Sequence, residues 1–375
     1  MYDLFDYLEW RGDLSFGNAT LSAVDTLVFS VLSYLRLEGI VPEDPKAEPV
    51  RLADAAKTYF EQNPDAKESN HHRFLRSLAG SVRFGQLRLV GAQKEFNAET
   101  GIQFSAYTAL LPGQNLFVAF EGTDGTLVGW EEDFRMSYEC PVPAQLRAVE
   151  YLRRVAAAYP LRRIFVGGHS KGGNLAMFAA VHAGPEVAYR IRGVYNHDGP
   201  GFCDGTLASV EYLEMRDRIH TYLPESSIVG VLLEHDESYR IVKSEARGLA
   251  QHDPYSWAVQ GPDFVYTNER TAFGQQTEAI VDHFVNSFSP ERKRMFGEAL
   301  FTVLGASKQD TISGIMANKT QSIKSIVKSF ASLDPEVREL LITTVSALGN
   351  SRKIVKKTAR KGDKTALPDQ VEQSS

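Results

Sequence analysis

The sequence predicts an α/β fold: a mostly parallel sheet with helices on both faces, followed by a C-terminal extension of helices alone. Three observations predict it. Apolar strand-like runs alternate with helical periodicities between Pro143 and Ser244, as in strands joined by crossover helices. The stretch Arg163-Ile-Phe-Val-Gly-Gly-His-Ser-Lys-Gly-Gly-Asn-Leu-Ala176 breaks an apolar run at glycine, presents one serine and resumes as a helix of small residues. That is the G-x-S-x-G pattern of a nucleophile elbow, with its strand before it and its helix after it. Beyond Asn268 the periodicity is helical throughout.

Taken in order, residues 1 to about 45 read as a short helix, a turn at Gly12-Asp13 and an amphipathic helix carrying Val24, Leu27, Val28, Val31 and Leu32. Asp25 and Arg36 interrupt that apolar run, which is too short to span a bilayer comfortably. Pro42 to Lys67 is charged and punctuated by proline, and a helix begins near His71. The adjacent His71 and His72 read as solvated, because no cysteine or acidic pattern accompanies them as metal ligands would require. Leu87–Val90, Phe104–Leu111 and Leu116–Phe120 read as strands separated by the turns Thr100-Gly101 and Pro112-Gly113. The third leads into Glu121-Gly-Thr-Asp-Gly-Thr126, then Trp130 and an acidic turn. A strand ending in Gly-Thr ahead of an elbow is where a serine hydrolase places its oxyanion donors, and Thr123 offers both an N–H and an O–H there.

Pro143–Ala158 is predicted helical, with Leu146, Val149, Leu152, Val155 and Ala156 on one face and arginines on the other. Strand Ile164–Val166, the elbow and helix Asn174–Val181 follow. Ile191–Tyr195 reads as a strand closing in Asn196-His-Asp-Gly-Pro-Gly201, and Ala208–Arg218 as a helix. Ile219–Leu223 ends at Pro224-Glu-Ser-Ser227, and Tyr239–Ser244 is a last strand before Gln251-His-Asp-Pro-Tyr255. Ser289-Pro-Glu291 and Asp334-Pro-Glu336 are helix starts, the second opening an apolar stripe of Val337, Leu340, Leu341, Thr344, Val345 and Leu348. Arg352, Lys353, Lys356, Lys357, Arg360 and Lys361 then precede a polar tail. The expected organisation is a hydrolase domain over 1–268, a helical region over 269–350 and a basic, then polar, disordered tail over 351–375.

A chain of 375 residues that is 43% hydrophobic buries a full core, and a net charge of −6 gives no global field for nucleic acid. Cys140 and Cys203 read as reduced core thiols, too few for a disulfide framework. The N-terminal segment carries acids where a signal peptide is basic, so secretion is not expected and a cytoplasmic location is. No cofactor and no metal are expected.

A serine hydroxyl needs a base to take its proton, and the base needs an acid to hold its tautomer. Of nine histidines, His71, His72, His169 and His182 come too early or too close to the elbow, His220 lies in a strand and His283 in a helix. Among the remaining His197, His235 and His252, only His252 follows the last strand, where the base belongs. For the acid, Asp198 stands past the strand after the nucleophile strand, with Glu225 and Asp236 as rivals.

These residues resemble a family. Val118-Ala-Phe-Glu-Gly-Thr123 with Trp130, and Gly167-Gly-His-Ser-Lys-Gly-Gly-Asn-Leu-Ala176, look like the class 3 lipase pattern. Together with Phe5-Asp-Tyr-Leu-Glu-Trp-Arg-Gly-Asp13 and Gln251-His-Asp-Pro-Tyr-Ser-Trp257, they are similar to a bacterial group of lipase-like α/β-hydrolases over roughly residues 1 to 265. The resemblance implies the nucleophile, base and oxyanion-hydroxyl roles for Ser170, His252 and Thr123, and the backbone N–H of Lys171 as second oxyanion donor. Two departures stand out. Class 3 lipases carry their acid in an Asp-x-Val-Pro element, whereas this chain has Ser227-Ile-Val-Gly230, and its His197-Asp-Gly-Pro200 looks instead like the acid loop of pancreatic-type lipases. Lys171 replaces an apolar or neutral residue: it reads either as a cation that favours an anionic or polar acyl substrate or, preferably, as a solvated lysine that donates its backbone.

Two functions follow. The first is a serine hydrolase of carboxylic esters, lipase- or esterase-like, acting on a small-molecule ester or lipid through an acyl-enzyme. The second is a catalytically inactive hydrolase fold that binds a partner or membrane through its helical C-terminal region. The basic C-terminal stretch reads either as the solvated end of a packed helix or as a peripheral contact with an anionic membrane surface.

Overall fold

The computed structural model describes residues 1–65, 67–203, 205–275, 278, 288–343 and 346. Helices α1 (Leu4–Arg11) and α2 (Ala23–Leu32) precede strand β1 (Val50–Arg51), helices α3 (Leu52–Gln62), α4 (Asn70–Gly80) and α5 (Val82–Gly85), and strands β2 (Arg88–Asn97), β3 (Ile102–Leu111) and β4 (Asn115–Phe120). There follow α6 (Leu127–Arg135), α7 (Pro143–Ala158), β5 (Arg163–His169), α8 (Lys171–His182), α9 (Pro185–Ala188), β6 (Ile191–His197), α10 (Val210–Met215), β7 (Ile219–Pro224) and β8 (Tyr239–Val242). The C-terminal region contributes α11 (Pro290–Gly305), α12 (Ile312–Ala317) and α13 (Lys319–Ser332).

Alternation along the strands decides the layering. In β4, Leu116, Val118 and Phe120 enter one apolar core, while Phe117 and Ala119 enter the other. Both faces of the sheet are therefore covered, α1 to α5 on one side and α7, α8 and α10 on the other. The nine-stranded sheet runs from β1 to β8 in sequence order and ends on Tyr266–Thr267. Its strands are parallel from β4 to β8 and antiparallel at both flanks. With an elbow at the end of a central parallel strand, this is an α/β-hydrolase fold, and the loops that leave the C-terminal ends of β4 to β7 share one edge.

Several local expectations are corrected. The α2 segment is not amphipathic: it is buried on every side, Asp25 included. Its carboxylate is absorbed by Arg83, whose Nε donates to Asp25 Oδ1 at 2.8 Å, and by the Tyr7 hydroxyl at 2.7 Å. Strand β2 extends well past Val90, because Gly91, at φ 72°, inserts a bulge and the pairing with β3 resumes at Gln93. A side chain at Gly91 would strike the Tyr151 hydroxyl, 2.7 Å from the position of its Cβ. The helix read over Ala208–Arg218 is broken at Ser209, which caps α10 by accepting from Tyr212 N. His71 and His72 are half-buried and each has a protein partner: His71 Nδ1 pairs with the Tyr255 hydroxyl at 2.7 Å and His72 Nδ1 donates to Lys67 O at 2.8 Å.

The two cysteines, expected as thiols, form a disulfide with their Cα atoms 6.4 Å apart. Cys140 lies in the connection from α6 to α7 and Cys203 in the loop after β6, so both stand at the loop-bearing edge of the sheet. Sequence spacing could not bring them together; the crossover does.

The C-terminal helices lean on α6. Phe134 of α6 packs on Phe296 of α11 with ring centroids 5.7 Å apart, and Leu127 N at the start of α6 donates to Asp310 O at 2.8 Å. Ser289 caps α11, and residues 335–343 are helical and add Leu341, Val337 and Leu340 to the Phe296 cluster. Among the described residues no helix is long and apolar enough to cross a membrane. The basic stretch Arg352 to Lys361, the polar tail and His283 lie outside the described residues.

Candidate active site

Strand β5 delivers Ser170 at its end, with φ 57° and ψ −135°, a backbone conformation that L side chains rarely adopt and that costs about 1–3 kcal/mol. The turn is held by Ser170 N donating to His197 O at 2.9 Å and Gly173 N to Ser170 O at 2.8 Å. Its glycines are required by contact. A Cβ on Gly168 would lie 2.1 Å from Gly172 C, and one on Gly172 would lie 2.2 Å from Phe120 O. Ser170 itself is 7% exposed.

The loops after β6 and β8 bring their side chains to it. His252 Nε2 lies 3.0 Å from Ser170 Oγ, and His252 Nδ1 lies 2.6 Å from Asp198 Oδ2. The carboxylate can only accept, so Nδ1 carries the proton and Nε2 turns a lone pair to the serine hydroxyl. Asp198 is fully buried at φ 54°, and its other oxygen, Oδ1, accepts from the Ser227 hydroxyl and from Gly230 N at 3.2 Å. Ser227, in the loop after β7, thus holds the carboxylate supplied by the neighbouring strand. Of the rivals, Asp236 pairs with Arg216 at 2.9 Å on the surface, while the Glu225 backbone is engaged by Val242 and Thr271.

The other histidines have structural places. His197 is wholly buried beside Thr26, Ser30 and Gly168 O, and desolvation pushes its pKa down to about 3. His235 pairs with Glu237 at 2.8 Å. His169, passed over because it adjoins the nucleophile, holds the base loop: its Nε2–H donates to His252 O at 2.8 Å while Nδ1 accepts from the Tyr34 hydroxyl at 2.9 Å. Burial holds its pKa well below the ordinary histidine value, so the ring stays neutral with that tautomer. On the far side of the loop, Trp257 Nε1 donates to Gln251 O at 2.9 Å and Gln251 Oε1 accepts from Ser226 N at 2.7 Å.

At the end of β4 the Gly122-Thr123 segment passes the nucleophile, with a Cβ on Gly122 only 3.1 Å from Ser170 Cβ. The Thr123 hydroxyl donates to Asp133 Oδ2 on α6. Desolvation raises the Asp133 carboxyl to about 6; its Oδ1 is buried without a hydrogen bond, 3.9 Å from Lys171 Nζ. Lys171 opens α8, so its backbone N–H has no intrahelical acceptor. The expectation of a solvated Lys171 side chain is corrected: Nζ is buried, paired with Glu132 Oε2 at 3.0 Å and bonded to Gln103 O at 2.9 Å. The buried cation is paired with Glu132, so its charge is already neutralised and is not held free for an anionic substrate.

Of the residues expected from the sequence, Ser170, His252 and Asp198 stand in one hydrogen-bonded row, with Lys171 next along the chain and Thr123 on the segment that passes Ser170. Sequence reasoning missed Ser227, His169, Asp133, Glu132 and Gln103. Glu132 and Asp133 lay in plain view as an acidic pair after Trp130; Gln103 and Ser227 gave no signal, being single polar residues whose partners lie far along the chain.

The sequence model of a family described as Mbeg1-like matches residues 78–302. No curated protein matches the chain. Among solved structures, lipase II from Rhizopus niveus is similar at 10% identity and a TM-score of 0.36, covering 60% of this chain and 80% of its own. The Rhizomucor miehei lipase propeptide complex is similar at 13% identity and a TM-score of 0.36, covering 58% of this chain and 67% of its own.

Proposed function

The chain belongs to the Mbeg1-like family, and we propose that it acts as a serine hydrolase of carboxylic esters, of the lipase or esterase kind, with Ser170, His252 and Asp198 as its triad. One observation carries the reading: an unbroken chain of hydrogen bonds from Ser170 Oγ through His252 to a buried carboxylate, in a turn strained to present the serine. Ser170 Oγ attacks the ester carbonyl carbon as its proton passes to His252 Nε2. Asp198 stabilises the imidazolium through Nδ1. The tetrahedral oxyanion faces the N–H groups of Lys171 and Thr123, while the Thr123 hydroxyl, expected as a third donor, gives its one proton to Asp133 and anchors the segment instead. Collapse breaks the bond to the alcohol, which leaves with the proton from His252, and water repeats the sequence to release the acid and restore Ser170.

The substrate class is a small-molecule ester or a lipid. Peripheral contact with an anionic membrane through the basic C-terminus belongs to the same proposal: on α13, Ile323 and Val327 are exposed one turn apart, next to Lys324 and Lys328. The expected cytoplasmic location sits poorly with the Cys140–Cys203 bond, since such bonds persist under oxidising conditions. Purified protein is expected to hydrolyse short p-nitrophenyl esters and to be labelled at Ser170 by a fluorophosphonate. Ser170→Ala should lower turnover by several orders of magnitude. A wild-type protein that is neither labelled nor active is instead an inactive binding fold.

A further inference from the structure

The Lys171 side chain, which the chemistry above leaves unused, joins the two halves of the oxyanion site. Its Nζ donates to Gln103 O, to Gln103 Oε1 and to Glu132 Oε2, which uses all three of its protons. The Gln103 amide is thereby fixed in one orientation, because a lysine can only donate and must meet the oxygen. The amide nitrogen then points the other way, donating to Gly122 O at 3.2 Å and, more weakly, towards Glu121 Oε2 at 3.4 Å. Gly122 O belongs to the peptide whose N–H is that of Thr123. Holding the carbonyl at one end of a planar peptide aims the N–H at the other.

Glu132 completes the frame. It is fully buried and accepts from Gln103 N at 3.2 Å, from Ala144 N at 2.9 Å and from Lys171 Nζ. The neighbouring residue on α6, Asp133, takes the Thr123 hydroxyl. One network therefore reaches the Lys171 N–H through its own side chain, the Thr123 N–H through Gln103 and the Thr123 hydroxyl through α6.

We infer that Gln103, locked by the buried Lys171–Glu132 pair, is the positioning residue of the oxyanion hole, setting the Thr123 N–H against the Lys171 N–H. The inference rests on the hydrolase reading. None of the three side chains touches the substrate. Their effect falls on the tetrahedral state and not on ground-state binding, since donors misaimed by a fraction of an ångström lose most where charge develops.

Gln103→Met tests it with the ion pair left in place, and Lys171→Met/Glu132→Gln tests it with both members of the pair removed together, Asp133 keeping the Thr123 hydroxyl as its partner. Each variant is expected to lose ~10- to 100-fold in kcat on a p-nitrophenyl ester with KM changed less than about twofold. Inhibition by an alkyl boronic acid, whose tetrahedral adduct places an oxygen in the hole, should weaken by the same factor as kcat, and the melting temperature checks that the enzyme is folded. Unchanged kcat in folded Gln103→Met, or kcat lost only in step with folded protein, overturns the inference while an active wild type keeps the hydrolase reading. A wild type inert to both ester and fluorophosphonate overturns both.

Discussion

Asp198→Asn is the sharpest perturbation of the triad because the structure leaves the asparagine only one way to sit. Asp198 Oδ1 accepts from the Ser227 hydroxyl and from Gly230 N, so the amide oxygen must take that side and the NH₂ must face His252 Nδ1. Two donors cannot face each other. The imidazole responds by moving its proton to Nε2, the atom that has to receive the proton of Ser170 Oγ 3.0 Å away. The nucleophile then has no base, and the imidazolium has lost its charge partner. The expected fall in kcat is up to ~10⁴-fold, about 5.4 kcal/mol of transition-state stabilisation. Folding should be spared: asparagine tolerates the left-handed φ of 54°, keeps the size of the buried group and retains the bonds to Ser227 and Gly230. The assay is kcat on a short p-nitrophenyl ester beside a thermal melt. Activity within about tenfold of wild type at an unchanged melting temperature would refute the reasoning, and an inactive Glu225→Gln beside it would move the acid to the end of β7.

The remaining predictions concern the covalent tie and the C-terminus. Cys140 and Cys203 are 63 residues apart, so the bond should contribute ~4 kcal/mol by restricting the unfolded chain; protein isolated without reductant should melt higher than the reduced form, and a count of two free thiols in it would remove the bond. If the basic C-terminus reaches a membrane, flotation with vesicles should require anionic lipid, weaken with salt and vanish when residues after Asn350 are removed, at roughly 1 kcal/mol per basic residue near the lipid. Ester hydrolysis should survive that truncation, since every proposed site residue precedes Asp253, and equal binding to neutral vesicles would leave the C-terminus as a solvated end.

What the sequence made legible was local. The elbow is written in consecutive residues, because strand, turn and helix must follow within a dozen positions and only glycine fits at Gly168 and Gly172. The β4 end with Thr123 and the His252 loop were legible for a related reason: each is the first loop after an apolar run. Where the expectations failed, a distant partner decided. Asp25 looked like an interruption on a helix surface until Arg83 was folded onto it, and Lys171 looked solvated because Gln103 and Glu132 are 68 and 39 residues away. A buried charge is read as exposed whenever its counter-charge is non-local. The same blindness separated the two cysteines.

The proposed place of the acid, Asp198 after β6, fits what the end of β7 does in this chain. A carboxylate at Ser227 as well as at Asp198 would set two negative charges side by side at buried positions, and one of them would be forced to take up a proton. With serine there, the pocket holds a single carboxylate and a hydroxyl that donates to it. Gly230 fits the same account: a side chain would place its Cβ 2.4 Å from Asp198 Oδ1, while the bare N–H donates to that oxygen instead. The loop after β7 is thus shaped around a side chain it does not supply: its serine hydroxyl and its glycine N–H both donate to the Asp198 carboxylate that follows β6.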